Sequence, residues 1–251
     1  MSFKGNRRTF CALAAYAFLS ALPAGAAAQV PGNLPVLAPG MHHLTFARAG
    51  EPTVGYTISI PADYSPTSSV PLVLALHFGV GGGSATGAGG DLVEILVGPA
   101  LEGLGAIIVA PDSVKGNWST PENEKAVSAL LDAVIASYAI DTKKIVVTGY
   151  SMGGAGAWHF AEKFPERFRA AIPVSGTPPE SAAGWRLPVL AIHSHDDQVQ
   201  PFAPTQARIA ELEKAGVKAK LIPLQGITHY QMDRFQGALR QAVPWLREVW
   251  K

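Results

Sequence analysis

The chain has 251 residues, 48% of them hydrophobic and 16% charged, and a formal net charge of +1. Those values suit one globular domain with a sizeable core. They exclude an electrostatic footprint for nucleic acid, because there is no basic run beyond the extreme N-terminus.

In chain order, Lys4, Arg7 and Arg8 make a basic start, "FCALAAYAFLSAL" is an apolar stretch too short to span a bilayer comfortably, and Ala26, Ala27 and Ala28 offer a small-residue cleavage site before Gln29. Residues 1–28 therefore read as a cleaved signal peptide, which predicts a secreted or periplasmic protein with no membrane span in the mature chain. Arg7 and Arg8 followed by Thr9 and Phe10 resemble a bacterial twin-arginine signal. Cys11, the only cysteine, falls inside this segment, so disulfides, thiolate metal sites and a cysteine nucleophile are not expected after cleavage. Residues 29–40 contain "VPGNLPVLAPG" and read as a Pro/Gly-rich leader without structure of its own. His42 and His43 are expected to precede the first strand and to carry no chemistry.

Residues 41–251 are predicted to form one α/β domain. "TVGYTISI" alternates like a strand with one wet face. "PLVLALHF", "GAIIVAP", "KKIVVTGY", "RAAIPVSG" and "LPVLAIHS" are short unbroken apolar runs, as in strands buried on both faces. Helical patterns separate several of them. "NEKAVSALLDAVIASYAI" sets Val127, Leu130, Leu131 and Val134 on one stripe, and "PTQARIAELEKAG" ends at Gly216. Strands alternating with helices predict a mostly parallel sheet covered on both sides.

In such a sheet, ligands gather at the carboxyl ends of the strands. Ser151 sits between the run "KKIVVTGY" and the helical stretch "GGAGAWHFAEKF", in the pattern Gly149-x-Ser151-x-Gly153. A sharp strand-to-helix turn of this kind lifts a serine hydroxyl into a cleft, with glycines where side chains would collide. A serine nucleophile needs a base, and His229 follows the run "KAKLIPL". The base needs an acid, for which Asp196 and Asp197 compete at the end of "LPVLAIHS". His193 and His195 beside them lack a further remote ligand with metal-site spacing, so no metal is expected. His159 reads as a helix-surface residue. The N–H of Met152 is the expected first donor to an oxyanion, and the glycine-rich loop in "LALHFGVGGGSATGAGG" is expected to supply the second.

These residues resemble the α/β-hydrolase superfamily over nearly all of Val70–Lys251. "YAIDTKKIVVTGYSMGGAGAWHFAEKFPERFRAAIPVSG" is similar to compact secreted esterases related to polyhydroxybutyrate depolymerases, feruloyl esterases and the dienelactone-hydrolase group. "LPVLAIHSHDDQVQP" resembles that family's acid motif, which puts the acid on Asp197 and the motif's final proline on Pro201. The resemblance implies an α/β-hydrolase fold with Ser151 as nucleophile, His229 as base and no cofactor, and the short connections in this sequence leave no room for a large cap domain. The resemblance also implies a second oxyanion donor at Gly79, although this chain has Phe78 where many relatives have glycine, leaving Phe78 and Val80 as alternatives. Dienelactone hydrolases themselves use a cysteine nucleophile, which disfavours that exact activity here.

The expected function is a secreted, monomeric serine esterase acting through an acyl-enzyme. Its open cleft would favour bulky or polymeric esters. A prolyl-oligopeptidase-type serine peptidase, an acyltransferase and a non-catalytic binding protein are the alternatives. Trp118 follows the run "AIIVAP" and is expected either as an exposed aromatic that contacts the substrate or as a loop residue packed on the core; Tyr150 and Phe78 are expected to contact the substrate, and Phe202 and Tyr230 are adjacent wall candidates.

Overall fold

The computed structural model describes residues 34–251, Gly82 excepted. The expected signal peptide, the cleavage site, Cys11 and residues 29–33 lie outside the described residues.

One sheet holds eight strands in the order β1-β2-β4-β3-β5-β6-β7-β8. They are β1 (Gly40–Phe46), β2 (Val54–Ile60), β3 (Val70–Leu76), β4 (Ile107–Pro111), β5 (Ile140–Tyr150), β6 (Ala170–Val174), β7 (Val189–Ser194) and β8 (Ala219–Leu224). From β4 through β8 all neighbours pair in parallel, while β1–β2 and β2–β4 are antiparallel. Successive strand residues point to opposite faces. Leu72, Leu74 and Leu76 with Ile145 and Val147 therefore meet α3 (Pro121–Ser137), α4 (Met152–Lys163) and α5 (Phe202–Lys214) on one side. Val73, Ala75 and Val146 meet α1 (Ala88–Leu92), α2 (Gly98–Leu101), α6 (Gln236–Leu239) and α7 (Ala242–Val249) on the other. Burial on both faces is why these strands read as unbroken apolar runs, and each fully buried Leu or Ile contributes about 1.5–3 kcal/mol. This is the α/β-hydrolase architecture expected from the sequence.

Local signals set the helix ends. Thr120 caps α3 by accepting the Asn123 N–H at 3.4 Å, Pro121 occupies the first turn, and Glu122 and Glu124 face the positive end of the helix dipole. Beyond α5, Gly216 takes a positive φ of 79° and ends the turn.

Three expectations need correction. His42 and His43 lie within β1 rather than before the first strand, and His43 Nδ1 pairs with Thr57 Oγ1 at 2.9 Å. Their polarity hides the strand because β1 is an edge with mostly exposed or half-buried residues. Of the leader, Gly40 opens β1, and residues 34–39 have no helix or strand yet are anchored. Leu34 is buried, its N–H donates to Ser137 Oγ at 2.7 Å, and the Tyr138 hydroxyl donates to the Pro35 carbonyl at 2.7 Å. The glycine-rich stretch is not all loop, since Gly89 and Gly90 belong to α1. A Cβ on Gly90 would come within 2.8 Å of the His43 ring, and one on Gly89 would strike the Ala110 carbonyl, so these glycines let a helix lie directly on the sheet.

Candidate active site

Ser151 joins β5 to α4 with φ 57° and ψ −117°, a conformation that L-residues rarely adopt. Its N–H donates to the Val174 carbonyl at 2.9 Å, which ties the turn to β6. The neighbouring glycines are required by contact. A Cβ on Gly153 would overlap the Leu76 carbonyl, one on Gly149 the Gly153 carbonyl, and one on Gly154 the Val174 carbonyl. None of these backbone atoms can swing away as a side chain could. Gly153→Ala is expected to cost about 3 kcal/mol or more, read as a lowered denaturation midpoint. Retention of wild-type stability would contradict the packing described.

His229 arrives on the loop after β8, and Asp197 on the loop after β7. The Ser151 hydroxyl donates to His229 Nε2 at 2.7 Å, and His229 Nδ1–H donates to Asp197 Oδ2 at 2.7 Å. The other carboxylate oxygen, Oδ1, accepts the Val199 and Gln200 N–H groups at 2.9 and 2.7 Å. Each oxygen therefore has a separate duty, one fixing the loop and one facing the imidazole. Burial opposes ionisation of Asp197, but the His229 bond and the two backbone N–H groups outweigh it and hold the carboxyl below its ordinary range. Asp196 turns elsewhere: its Oδ2 accepts the Gly226 N–H at 2.6 Å and holds the loop that follows β8.

The surrounding aromatic and histidine side chains hold these loops. The Tyr150 hydroxyl donates to the His229 carbonyl and its ring lies 5.5 Å from the imidazole. Burial, then the negative charges of Asp197 and Asp233, raise the Tyr150 pKa, keeping it a neutral donor. His193 is fully buried, with Nδ1 on Thr205 Oγ1 and Nε2 on the Gln200 carbonyl, both at 2.8 Å. His195 stacks on Phe202 at 3.8 Å, so Phe202 belongs to the packing behind the acid loop rather than to the cleft wall. His159 pairs with Glu124 at 2.7 Å on the helix surface. Among the described residues, no group of three or more His, Cys, Asp or Glu is placed to hold a metal ion.

Met152 is the first residue of α4, so its N–H is among those a helix N-terminus leaves free. Gly79 lies opposite, where an added Cβ would sit 3.9 Å from Met152 Cβ. A cleft of about 420 Å³ opens over Ser151 and His229, walled by Phe78, Gly79, Gly81, Tyr150, Val199, Tyr230 and Met232. Tyr230 is 78% exposed and Val199 42% exposed, so two apolar side chains stand free on its rim. Val199 and Met232 escape the sequence analysis, which offers no signal for them except closeness to Asp197 and His229. A larger hollow of about 720 Å³ adjoins across Gly79, lined by Thr45, Thr53, Ser84, Thr86, Ser113 and Lys115 among others.

Trp118 takes the packed of the two expected places and not the exposed, substrate-contacting one. It is 1% exposed, its indole N–H donates to the His77 carbonyl at 2.9 Å, and Gly156 is a glycine because a Cβ there would sit 2.7 Å from Trp118 Cβ. The ring packs beneath the loop and does not wall the cleft over Ser151.

Residues 111–236 match the model of the dienelactone hydrolase family. "Probable feruloyl esterase C" of Aspergillus terreus is 30% identical over 152 residues, which cover 59% of this chain and 56% of that protein. Feruloyl esterase D of Neurospora crassa is 28% identical over 189 residues, covering 70% of this chain and 64% of that protein. The chain thus spans less than two thirds of either relative's length. A solved ferulic acid esterase superposes with a TM-score of 0.67 at 16% identity over 86% of this chain and 100% of its own, a likeness of fold alone.

Proposed function

Because the chain belongs to the dienelactone hydrolase family, we propose that it is a carboxylic-ester hydrolase working through a serine acyl-enzyme. The observation that carries this reading is the unbroken line Ser151 Oγ, His229 Nε2, His229 Nδ1, Asp197 Oδ2, with both hydrogen bonds 2.7 Å, at the floor of a cleft. His229 takes the hydroxyl proton as Ser151 attacks the ester carbonyl. Asp197 holds the imidazole with its proton on Nδ1 and stabilises the imidazolium as it forms. The carbonyl oxygen becomes an oxyanion, and the Met152 and Gly79 N–H groups receive it beside the positive end of α4. His229 then protonates the departing alcohol. Water then attacks the acyl carbon as His229 takes its proton, and the acyl–Oγ bond breaks as His229 returns that proton to Ser151, releasing the acid.

Family members of the dienelactone hydrolase type use a thiolate, whereas the elbow position here is Ser151 and the one cysteine is Cys11. The substrate side follows from the cleft walls. Phe78, Tyr150, Tyr230 and Met232 favour an apolar or aromatic acyl group, in keeping with the names of the feruloyl esterases it resembles. The basic and apolar N-terminal segment supports action outside the cytoplasm. Among the described residues no helix is long and apolar enough to cross a membrane.

The purified protein is expected to react with a fluorophosphonate probe and to turn over aryl-acid and p-nitrophenyl esters. Failure of folded protein to do either overturns the reading, and a preference for peptide substrates reassigns it. Tyr230→Ala is expected to raise KM for hydroxycinnamoyl esters roughly tenfold, with acetate esters little changed, since a rim aromatic interacts with aromatic acids and not with a methyl group. Equal effects on both substrates would remove Tyr230 from the acyl site.

A further inference from the structure

His77 follows β3, is fully buried, and lies directly beneath the loop that begins at Phe78. Its two ring nitrogens meet backbone groups of opposite character. The Ser113 N–H, which can only donate, lies 2.9 Å from Nε2. The Phe78 carbonyl, which can only accept, lies 2.6 Å from Nδ1. A neutral imidazole satisfies both in one tautomer alone, with its proton on Nδ1. Burial lowers the His77 pKa, against smaller opposing effects of the Phe78 carbonyl and the Asp112 charge, and so keeps the ring neutral. Trp118 completes the mount: its indole N–H binds the His77 carbonyl at 2.9 Å and its ring meets the imidazole edge-on at 4.9 Å.

The Phe78 carbonyl and the Gly79 N–H belong to one peptide unit. That unit is planar and trans, so the two groups point in opposite directions. Holding the carbonyl down on buried His77 turns the Gly79 N–H away from it, and Gly79 lines the cleft that contains Ser151.

We propose that His77 is the positioning residue of the oxyanion site: protonated on Nδ1, it locks the Phe78–Gly79 peptide so that Gly79, and neither Phe78 nor Val80, supplies the second N–H. The inference rests on the ester-hydrolase reading of Ser151. It also gives the Ser113 amide and Trp118 a task in catalysis at one remove, since both hold the histidine that aims the donor.

Two measurements test it. In the wild-type protein, the ring nitrogen-15 resonances of His77 should show a protonated Nδ1 and an unprotonated Nε2; the opposite tautomer overturns the proposal without any variant having to fold. In His77→Leu, with active sites counted by fluorophosphonate titration, kcat should fall about 10²-fold with KM little changed, the size of effect seen when one oxyanion donor is lost. The affinity for a trifluoromethyl ketone, whose adduct with the serine carries the oxyanion, should weaken in parallel with kcat. A merely structural histidine would lower the number of active sites and leave both quantities per site unchanged, which would sink the proposal. Ser151→Ala run alongside separates the two levels. Retained turnover there removes the ester-hydrolase reading and this inference together, whereas a silent Ser151→Ala with an unaffected His77→Leu removes only the inference.

Discussion

Ser151→Ala is expected to abolish fluorophosphonate labelling and to lower ester turnover by about 10⁴- to 10⁶-fold while the protein stays folded. The size follows from the arrangement. Removing Oγ leaves His229 with nothing to deprotonate at 2.7 Å, and the remaining rate comes only from the cleft and the oxyanion donors acting on water. Stability should hardly change, because the elbow is tied by the Ser151 backbone N–H to Val174 and by the glycine contacts around it, none of which involve the hydroxyl. A labelled or active Ser151→Ala protein would show that another residue is the nucleophile.

Asp197→Asn carries the second largest expected effect, a fall in kcat of about 10⁴-fold. An amide in this position would present an N–H to His229, favouring the tautomer whose Nε2 can no longer accept the serine proton. Asp196→Asn should leave kcat nearly unchanged, because Asp196 serves the Gly226 amide. The reverse order would transfer the role of acid to Asp196. The pH dependence of stability tests the place of Asp197 further. Folding lowers the Asp197 pKa, so its ionised form contributes stability at and above the ordinary carboxylate range, and that contribution is lost as the pH falls through the lowered value. The gap in Tm between wild type and Asp197→Asn should therefore be widest near neutral pH and narrow in acid. A gap that widens in acid would contradict the assignment of the pKa direction.

Much of this site was legible because its chemistry is tied to local pattern. The elbow needs glycines at fixed offsets from Ser151, and strands buried on both faces need unbroken apolar runs, so both leave short-range marks in the chain. The choice between Asp196 and Asp197 was not legible from the residues alone. It depends on which carboxylate the Val199 and Gln200 amides hold facing His229. Trp118 reads two ways for a related reason: its place after the strand that ends at Pro111 points to the rim, and what buries it is Gly156 together with the His77 carbonyl, both distant in sequence. Edge strand β1 carries too few apolar residues to announce itself and is recognisable only by its pairing with β2. The tautomer of His77 depends on Ser113, which lies 36 residues away.

The backbone conformation of Ser151 also bears on how this protein can change over evolutionary time. A non-glycine residue held at φ 57° and ψ −117° carries strain of about 1–3 kcal/mol. Ser151→Gly would relieve part of it, so backbone strain and the proposed nucleophile make opposite demands on this one position. Selection for thermal stability alone would drift toward that glycine, and selection for turnover continually opposes it. Screens that reward only soluble, heat-resistant variants of this fold should therefore enrich for glycine at position 151, and on the ester-hydrolase reading such variants would be silent toward esters.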